Sequence, residues 1–172
     1  MDGLDSVDLK ILGLLQADAS LAIAEIGEKV HLSQNACWRR MKKLEEDGVI
    51  KSRVALLDPV KLGVGVTVFV TLRAGEHSET WLEAFAAGVR KMPEVLEFYR
   101  MSGEIDYLLK IQVADIASYD RVYKALIRTA KLGDVSSAFA MEELKHTTVL
   151  PLPLGPPSAK GRRVAPRAKK SP

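Results

Sequence analysis

The hydrophobic period of the chain changes once, near residue 64, and this change limits the folds that are open to it. Before that point, apolar residues recur at the 3.6-residue spacing of helices, and after it short β-rich runs alternate with two helical segments. A chain of 172 residues, 47% of them hydrophobic, can build one ordinary domain or two small ones. We therefore predict a helical N-terminal half followed by a half of mixed α and β structure.

The first half is predicted to contain three helices in quick succession, between residues 4 and 48. Asp5 or Ser6 can cap the first helix, Ser33 can cap the third, and Gly48 supplies the left-handed residue that ends it. Two helices joined by a short turn, with the second presenting hydrogen-bond donors, are typical of a helix-turn-helix. The β-rich stretch 49–57 predicts a short hairpin, which would form a wing.

The predicted third helix has an unusual outward surface. Its apolar stripe is Cys37, Met41 and Leu44, while amides, an indole and cations occupy the exposed side and the acids are held to its C-terminal end. Gln and Asn can pair with adenine, Arg can pair with guanine, and Lys can contact phosphate. For any one residue a solvated surface is the alternative, and Arg40 can instead brace the helix against its neighbours. The predicted DNA-binding residues are Ser33, Gln34, Asn35, Trp38, Arg39, Lys42, Lys43, Lys51 and Arg53.

The second half, residues 64 to 148, has the order β-α-β-β-α-β, with a last strand predicted over 135–146. This order is typical of a ferredoxin-like plan, in which two helices cover one face of an antiparallel sheet. The first strand carries Phe69 and little charge on either side, so the second face of the sheet needs a cover. We expect a partner subunit there; the alternative is that a small sheet tolerates an exposed Phe.

The net charge of +3 is unevenly distributed. Six Lys and Arg residues and no acid follow Ser158, which leaves the remainder at −3, with 19 basic against 22 acidic residues. We expect residues 151–172 to be a Pro-rich linker and a basic tail without fixed structure, able to add salt-sensitive phosphate contacts or to have no role. No apolar run approaches the roughly 20 residues that cross a bilayer, so the expected location is the cytoplasm.

Several motifs together carry a resemblance to a known family. In the first half they begin at Leu4-Asp5-x-x-Asp8, Leu32-Ser33 and Leu57-Asp58-Pro59; in the second half they are Met101-Ser102-Gly103-x-x-Asp106-Tyr107 and Lys145-His146-Thr147-Thr148. Taken in order over roughly residues 4 to 152, the sequence resembles the Lrp/AsnC (leucine-responsive, feast/famine) transcriptional regulators. Ala22 departs from the capping residue usual in that family before the second helix, so that helix is expected to begin less firmly.

This resemblance implies an α+β chain with three parts. They are a winged helix-turn-helix DNA-binding domain (1–60), a ferredoxin-like βαββαβ effector-binding and oligomerisation domain (61–150) and the tail (151–172). It also implies dimers that assemble into tetramers or octamers, double-stranded DNA and an amino acid or other small metabolite as partners, no cofactor, and control of amino-acid metabolism or transport genes. The effector-binding residues it implies are Met101, Ser102, Gly103, Asp106 and Ser137. The alternative is that Gly103 and Asp106 only build a local turn.

Two rival functions are weighed against this one. Sirohaem decarboxylases resemble the same architecture, and His31, His77 and His146 could serve a tetrapyrrole, but their predicted positions are scattered over a turn, a loop and a strand end. No nucleophile elbow, phosphate-binding Gly-rich loop or His/Cys metal spacing is present in the sequence, so no enzyme activity is expected. The other rival is a ligand-sensing module whose DNA-binding half has become vestigial.

Overall fold

A computed structural model describes residues 3–76 and 78–152. The described residues through Ala55, together with those from His146 onward, form one compact unit, and Leu56–Lys145 form a second. The domain boundaries expected after residues 60 and 150 remain a prediction.

The first unit is built on the three predicted helices. They are α1 (Ser6–Ala17), α2 (Ile23–Val30) and α3 (Gln34–Glu46). Asp5 caps α1 and Ser33 caps α3, each by accepting backbone N–H groups of the first turn, and Gly48 has φ +69° just after α3. Ala22 offers no side-chain cap to α2, and the Glu25 carboxylate accepts from its backbone N–H at 2.8 Å instead. One apolar cluster holds the helices together: Ile11, Leu15, Ile26, Val30, Cys37, Met41 and Leu44.

The hairpin predicted over 49–57 is wrong, because this stretch contains no strand. Val54, Leu56 and Leu57 are 68–70% exposed, so these apolar side chains pack on little within the chain. A β-rich sequence becomes a strand only where a second strand supplies partners for its N–H and C=O groups. Residues 49–57 have the composition of a strand, but among the described residues no second strand pairs with them.

The C-terminal segment of the first unit is tied to α1 by one side chain. Gln16 Nε2 donates to the Leu150 carbonyl, and Gln16 Oε1 accepts from the Leu150 N–H, both at 2.9 Å. A primary amide can satisfy one backbone donor and one backbone acceptor in this way.

The second unit has the predicted β-α-β-β-α-β order. Its elements are β1 (Val66–Ala74), α4 (Glu79–Val89), β2 (Val95–Arg100), β3 (Tyr107–Val113), α5 (Ile116–Thr129) and β4 (Leu132–Phe139). The strands form one antiparallel sheet in the order β2-β3-β1-β4. The last strand is shorter than the predicted 135–146, because β4 pairs with β1 and β1 begins at Val66, which leaves residues beyond Ala140 without a partner there.

Strand alternation separates a covered face of the sheet from an open one. The covered face carries Val68, Val70 and Leu72 of β1, which are at most 1% exposed and pack with α4 and α5 in a core that includes Trp81 and Phe85. The open face carries Phe69, which is 39% exposed and pairs with Lys110 and Ala138. The residues of this open face are Thr67, Phe69, Thr71, Tyr99, Leu108, Lys110 and Gln112.

Candidate nucleic-acid interface and effector turn

The turn between α2 and α3 is tight and depends on Gly27. The Leu32 N–H donates to the Gly27 carbonyl at 2.8 Å, and His31 has the left-handed φ of +59°. A Cβ on Gly27 would lie 2.9 Å from the Leu32 carbonyl oxygen, closer than real Cβ contacts. Sequence reasoning missed this residue, although a glycine inside an eight-residue helix was the available signal.

Helix α3 has one buried side and a wide exposed side. Cys37, Met41 and Leu44 are at most 3% exposed, and burial raises the pKa of the Cys37 thiol, as expected for a structural hydrophobe. Ser33 Oγ accepts from the Ala36 N–H at 3.3 Å and starts the helix. The structure places the following predicted DNA-binding side chains of α3 on the exposed side: Gln34, Asn35, Trp38, Arg39, Lys42 and Lys43.

Two of the three acids at the C-terminal end of α3, Glu45 and Glu46, are paired with cations, and Asp47 at the C-cap has no ion pair among the described residues. Arg53 Nη2 lies 2.6 Å from Glu45 Oε1, and Lys42 Nζ lies 3.5 Å from Glu46 Oε1. These pairs reduce the negative charge that α3 would present to a phosphate backbone. Arg53 is therefore engaged in this structure, and a phosphate contact by it requires exchange of Glu45 for phosphate.

Trp38 lies at the border of the exposed side and is itself 48% exposed. The Lys42 ammonium lies 5.3 Å from the centroid of its ring, within the range of a cation–π contact. A shallow groove of about 380 Å³ runs beside the indole, lined by Ile23, Trp38, Met41, Lys42, Glu45 and Arg53. The indole of Trp38 thus forms one wall of a groove beside the exposed side of α3.

Arg40 points away from the exposed side and toward the start of α1. Its Nη1 atom lies 2.7 Å from Asp5 Oδ2 and 2.7 Å from Asp8 Oδ1. The Asp8 backbone N–H and the Arg40 guanidinium hold the pKa of the Asp5 carboxyl below its usual value, and the two carboxylates raise the pKa of Arg40. Of the two roles considered for Arg40, the structure supports the bracing one.

In the second unit, the turn that follows β2 is tied to β1 through Asp106. Asp106 Oδ2 accepts from the Ala74 N–H at 2.8 Å, and the Asp106 N–H donates to the Leu72 carbonyl at 2.9 Å. Gly103 has φ +124°, a conformation that favours glycine. Met101, Ser102 and Gly103 are exposed. One Asp106 oxygen is thus committed to backbone, as the local-turn alternative requires.

Ser137 lies on β4, on the side of the sheet that faces the helices. Ser137 pairs with Val70 of β1. The residues next to the turn are Leu72 of β1 and its partner Tyr107 of β3, and Leu72 lies two residues further along β1 than Val70. The Ser137 and Tyr119 hydroxyls are hydrogen-bonded to each other, and burial raises the pKa of Tyr119. The structure therefore gives the Ser137 hydroxyl a partner on α5, and it does not join Ser137 to Asp106 by a hydrogen bond.

Comparison with known proteins identifies the family. The Lrp/AsnC ligand binding domain matches residues 67–150, and a winged helix-turn-helix DNA-binding domain matches residues 4–51. A glutamate uptake regulatory protein of Zymomonas mobilis is 61% identical over 150 residues, which cover 87% of this chain and 92% of that protein. The chain belongs to the Lrp/AsnC family of transcriptional regulators.

Other Lrp/AsnC proteins match over the same region. The DNA-binding transcriptional activator DecR of Escherichia coli is 49% identical, covering 87% of this chain and 99% of that one. The crystal structure of an AsnC family regulator from Agrobacterium tumefaciens has a TM-score of 0.83 at 57% identity, covering 86% and 97% of the two chains. A Neisseria meningitidis regulator, solved in complex with L-Met, has a TM-score of 0.81 at 38% identity, with coverage of 86% and 96%.

Membership of the Lrp/AsnC family decides against the enzyme interpretation, and the chain is a transcriptional regulator. Of the three histidines, His31 forms the α2–α3 turn, His146 is exposed in the C-terminal segment, and His77 lies outside the described residues. Residues 3–76 and 78–152 contain no group of three His, Cys, Asp or Glu side chains that could hold a metal ion. Within the same ranges, no helix has the length and apolar character needed to cross a bilayer.

Proposed function

We propose that this regulator recognises a specific operator by placing α3 in the major groove of double-stranded DNA. The observation that carries the proposal is the exposed side of α3, where amide, indole and guanidinium groups lie near the helix N-terminus and Glu45 and Glu46 at the other end are ion-paired. An α-helix fits the major groove, and its N-terminal end is the favoured end for base and phosphate contacts.

The predicted contacts divide into two classes. Gln34, Asn35 and Arg39 are proposed to meet base edges, with Trp38 packing on sugar or a thymine methyl group. The proposed phosphate contacts set position without reading sequence, and their residues are Ser33, Lys42, Lys43, Lys51 and Arg53.

The proposed effector is an amino acid or a related small metabolite, bound at the turn formed by Met101, Ser102, Gly103 and Asp106, with Ser137 as a further proposed contact. The names of the relatives support this class of ligand, since one regulates glutamate uptake and another was solved with L-Met. Chemically, the second Asp106 oxygen can accept from an α-ammonium group while the first remains on backbone. We propose no cofactor besides the effector. The regulated genes are proposed to serve amino-acid metabolism or transport, in the cytoplasm.

The proposed assembly is a homodimer that associates further into a tetramer or octamer. Its support is the open face of the sheet, where Phe69 and Tyr99 are 39% and 49% exposed. Apolar side chains gathered on one sheet face are stabilised when a second copy covers them.

The decisive experiment compares DNA affinities at two salt concentrations. We propose, as the resemblance to the Lrp/AsnC family implies, that the regulated genes include the protein's own. DNA from upstream of that gene and random DNA of equal length are titrated with the full chain, in low and in moderate salt. Base readout predicts a preference for the upstream fragment that survives at the higher salt, because salt screens the phosphate contribution and leaves base contacts in place. Weak binding that ignores sequence and disappears with salt would favour the vestigial DNA-binding half instead.

The effector is tested separately by a thermal screen. A metabolite that binds only the folded protein raises Tm by mass action, so each amino acid is tested for a concentration-dependent increase. No increase with any amino acid would leave DNA recognition intact and exclude amino acids as the effector.

A further inference from the structure

The Arg40 guanidinium closes a hydrogen-bond network at the start of α1. Asp5 and Asp8 form a reciprocal cap: Asp5 Oδ1 accepts from the Val7 and Asp8 N–H groups at 2.8 Å, and Asp8 Oδ2 accepts from the Asp5 N–H at 3.1 Å. The two oxygens that remain, Asp5 Oδ2 and Asp8 Oδ1, both accept from Arg40 Nη1 at 2.7 Å. All four carboxylate oxygens are therefore used, and α3 is joined to the cap of α1.

This network separates Arg40 from the other cations of α3. Two carboxylates within 2.7 Å more than balance its charge, so a DNA phosphate approaching Arg40 would also approach two anions. Arg39 and Lys43 line the same cleft of about 540 Å³ as Arg40, and among the described residues neither forms an ion pair. The neighbouring cations suit phosphate or base contacts, whereas Arg40 does not.

The network also suits the task of fixing the orientation of α3. The core between α1 and α3 consists of aliphatic side chains with Cys37 and Met41, and hydrophobic contacts have no preferred direction. Charge-assisted hydrogen bonds are directional, and here two of them hold one atom of α3 against one turn of α1. Because Arg39 is adjacent to Arg40 and Lys43 is one helical turn away, a rotation of α3 would move both of them.

We propose that Arg40 is a positioning residue for operator recognition: held by Asp5 and Asp8, it sets the orientation of α3 and thereby the sequence preference, without itself touching DNA. This inference rests on the proposed readout by α3. The Asp5 and Arg40 side chains are 51% and 36% exposed, so their ion pair is expected to add little to global stability. The Asp8 side chain is 12% exposed, so its pair with Arg40 also contributes to stability, and the role in readout is measured as specificity among folded proteins.

The test measures affinity for operator and random DNA, and its salt dependence, for wild type, Arg40→Gln and Lys43→Gln. All proteins are compared at a temperature at which circular dichroism shows each to be folded. For Arg40→Gln we expect the preference for operator over random DNA to fall about fivefold or more, the discrimination that a well-placed base contact supplies. Its affinity for random DNA and its salt slope should match wild type. For Lys43→Gln, a phosphate contact predicts equal weakening on both DNAs and a salt slope shallower by about 0.9.

A second variant keeps the test valid if Arg40→Gln folds poorly. Asp5→Asn/Asp8→Asn keeps Arg40 but releases its charge, and asparagine is as good an N-cap as aspartate. We expect tighter binding to random DNA with less operator preference, and adding Arg40→Gln should remove the gain on random DNA. If the gain on random DNA persists in the variant that also carries Arg40→Gln, it comes from the loss of the two acids. The inference that Asp5 and Asp8 keep Arg40 from binding DNA would then be wrong.

Two results would overturn the proposal. Equal loss on both DNAs with a shallower salt slope in Arg40→Gln would make Arg40 a phosphate contact, and unchanged preference would make it a surface ion pair without a role in readout. A wild-type protein with no operator preference at all would instead refute the proposed function, so the two failures are distinguishable.

Discussion

At the scale of single residues, the cations near α3 differ in how they are held. Lys42 and Arg53 are paired with Glu46 and Glu45, and Arg40 is held by two aspartates. Among the described residues, Arg39 and Lys51 make no ion pair, so DNA can bind them without breaking an existing contact. Their positions differ, since Arg39 lies within α3 and Lys51 lies beyond its end.

This difference predicts different mutant phenotypes. Arg39→Ala should relax sequence preference, with a cost of about 1–3 kcal/mol on operator DNA and less on random DNA, because a base contact is lost. Lys51→Ala should weaken all DNA alike and reduce the salt slope by about 1, because a phosphate contact is lost. Fluorescence anisotropy titrations on both DNAs check the pair. Equal effects on operator and random DNA in both mutants would contradict the division.

Asp106 has a structural contact and a proposed ligand contact, and two substitutions separate them. Asp106→Asn can keep the hydrogen bond from Ala74 while it removes the charge that would hold an α-ammonium group. We expect both Asp106→Asn and Asp106→Ala to abolish the effector response and to preserve operator binding. Only Asp106→Ala should lower Tm, by a few degrees, because the part-buried Ala74 N–H then loses a bond worth about 1 kcal/mol. The readouts are an effector titration of the DNA complex and a thermal melt. An unchanged effector titration in Asp106→Asn would remove this carboxylate from the site.

At the scale of elements, the sequence predicted the helix ends correctly, because they depend on residues that are close together along the chain. The caps at Asp5 and Ser33 and the left-handed Gly48 follow from backbone rules and are confirmed. The hairpin over 49–57 and the length of the last strand were wrong, since strand pairing depends on residues far along the chain.

Contacts between distant side chains were also beyond the sequence pattern. The bonds of Arg40 to Asp5 and Asp8 span 35 and 32 positions, and the Tyr119–Ser137 bond joins a helix to a strand. Hydrophobic periodicity shows which side of an element is buried, but it does not show which polar side chains meet at the edges. For the candidate site, the sequence therefore predicted the exposed side of α3 correctly, and the network that holds α3 became visible only in the structure.

The contact between Gln16 of α1 and Leu150 of the C-terminal segment can be tested directly by substitution. Gln16→Ala removes both hydrogen bonds that tie the C-terminal segment to α1, and Gln16→Glu keeps an acceptor for the Leu150 N–H but loses the donor to its carbonyl. We expect hydrogen exchange at the Leu150 amide to accelerate strongly in Gln16→Ala and less in Gln16→Glu, with α1 amides unchanged. Exchange that is equal in all three proteins would show that other contacts hold the segment.

At the scale of the whole molecule, the two faces of the sheet in the second unit differ. The helices bury one face, and the other face exposes apolar side chains. On the covered face, Val68, Val70 and Leu72 are almost fully buried by the helices, while Phe69 between them on the strand is 39% exposed. Polar side chains on the open face satisfy one another: Lys110 lies 3.5 Å from Glu97, and Thr67 Oγ1 donates to Gln112 Oε1 at 2.9 Å. Hydrogen bonds cannot satisfy the apolar side chains of this face, and the proposed homodimer would bury them against a second copy.

A charge placed in the middle of the open face tests this arrangement. Phe69→Glu puts a carboxylate where a symmetric partner would bury an aromatic ring. The cross-strand neighbour Lys110 already pairs with Glu97, and removing a carboxylate from water costs several kcal/mol, enough to dissociate a dimer at micromolar concentration. Analytical ultracentrifugation should show the wild type as a dimer or larger species and Phe69→Glu shifted toward monomer. Ala87→Glu adds the same charge to the exposed side of α4 and should leave the mass unchanged. Since the proposed dimer would place one copy on each half-site of an operator, Phe69→Glu should also weaken operator binding steeply while circular dichroism stays that of a folded chain. Equal masses for wild type and Phe69→Glu would place the subunit interface elsewhere and leave the open face exposed to solvent.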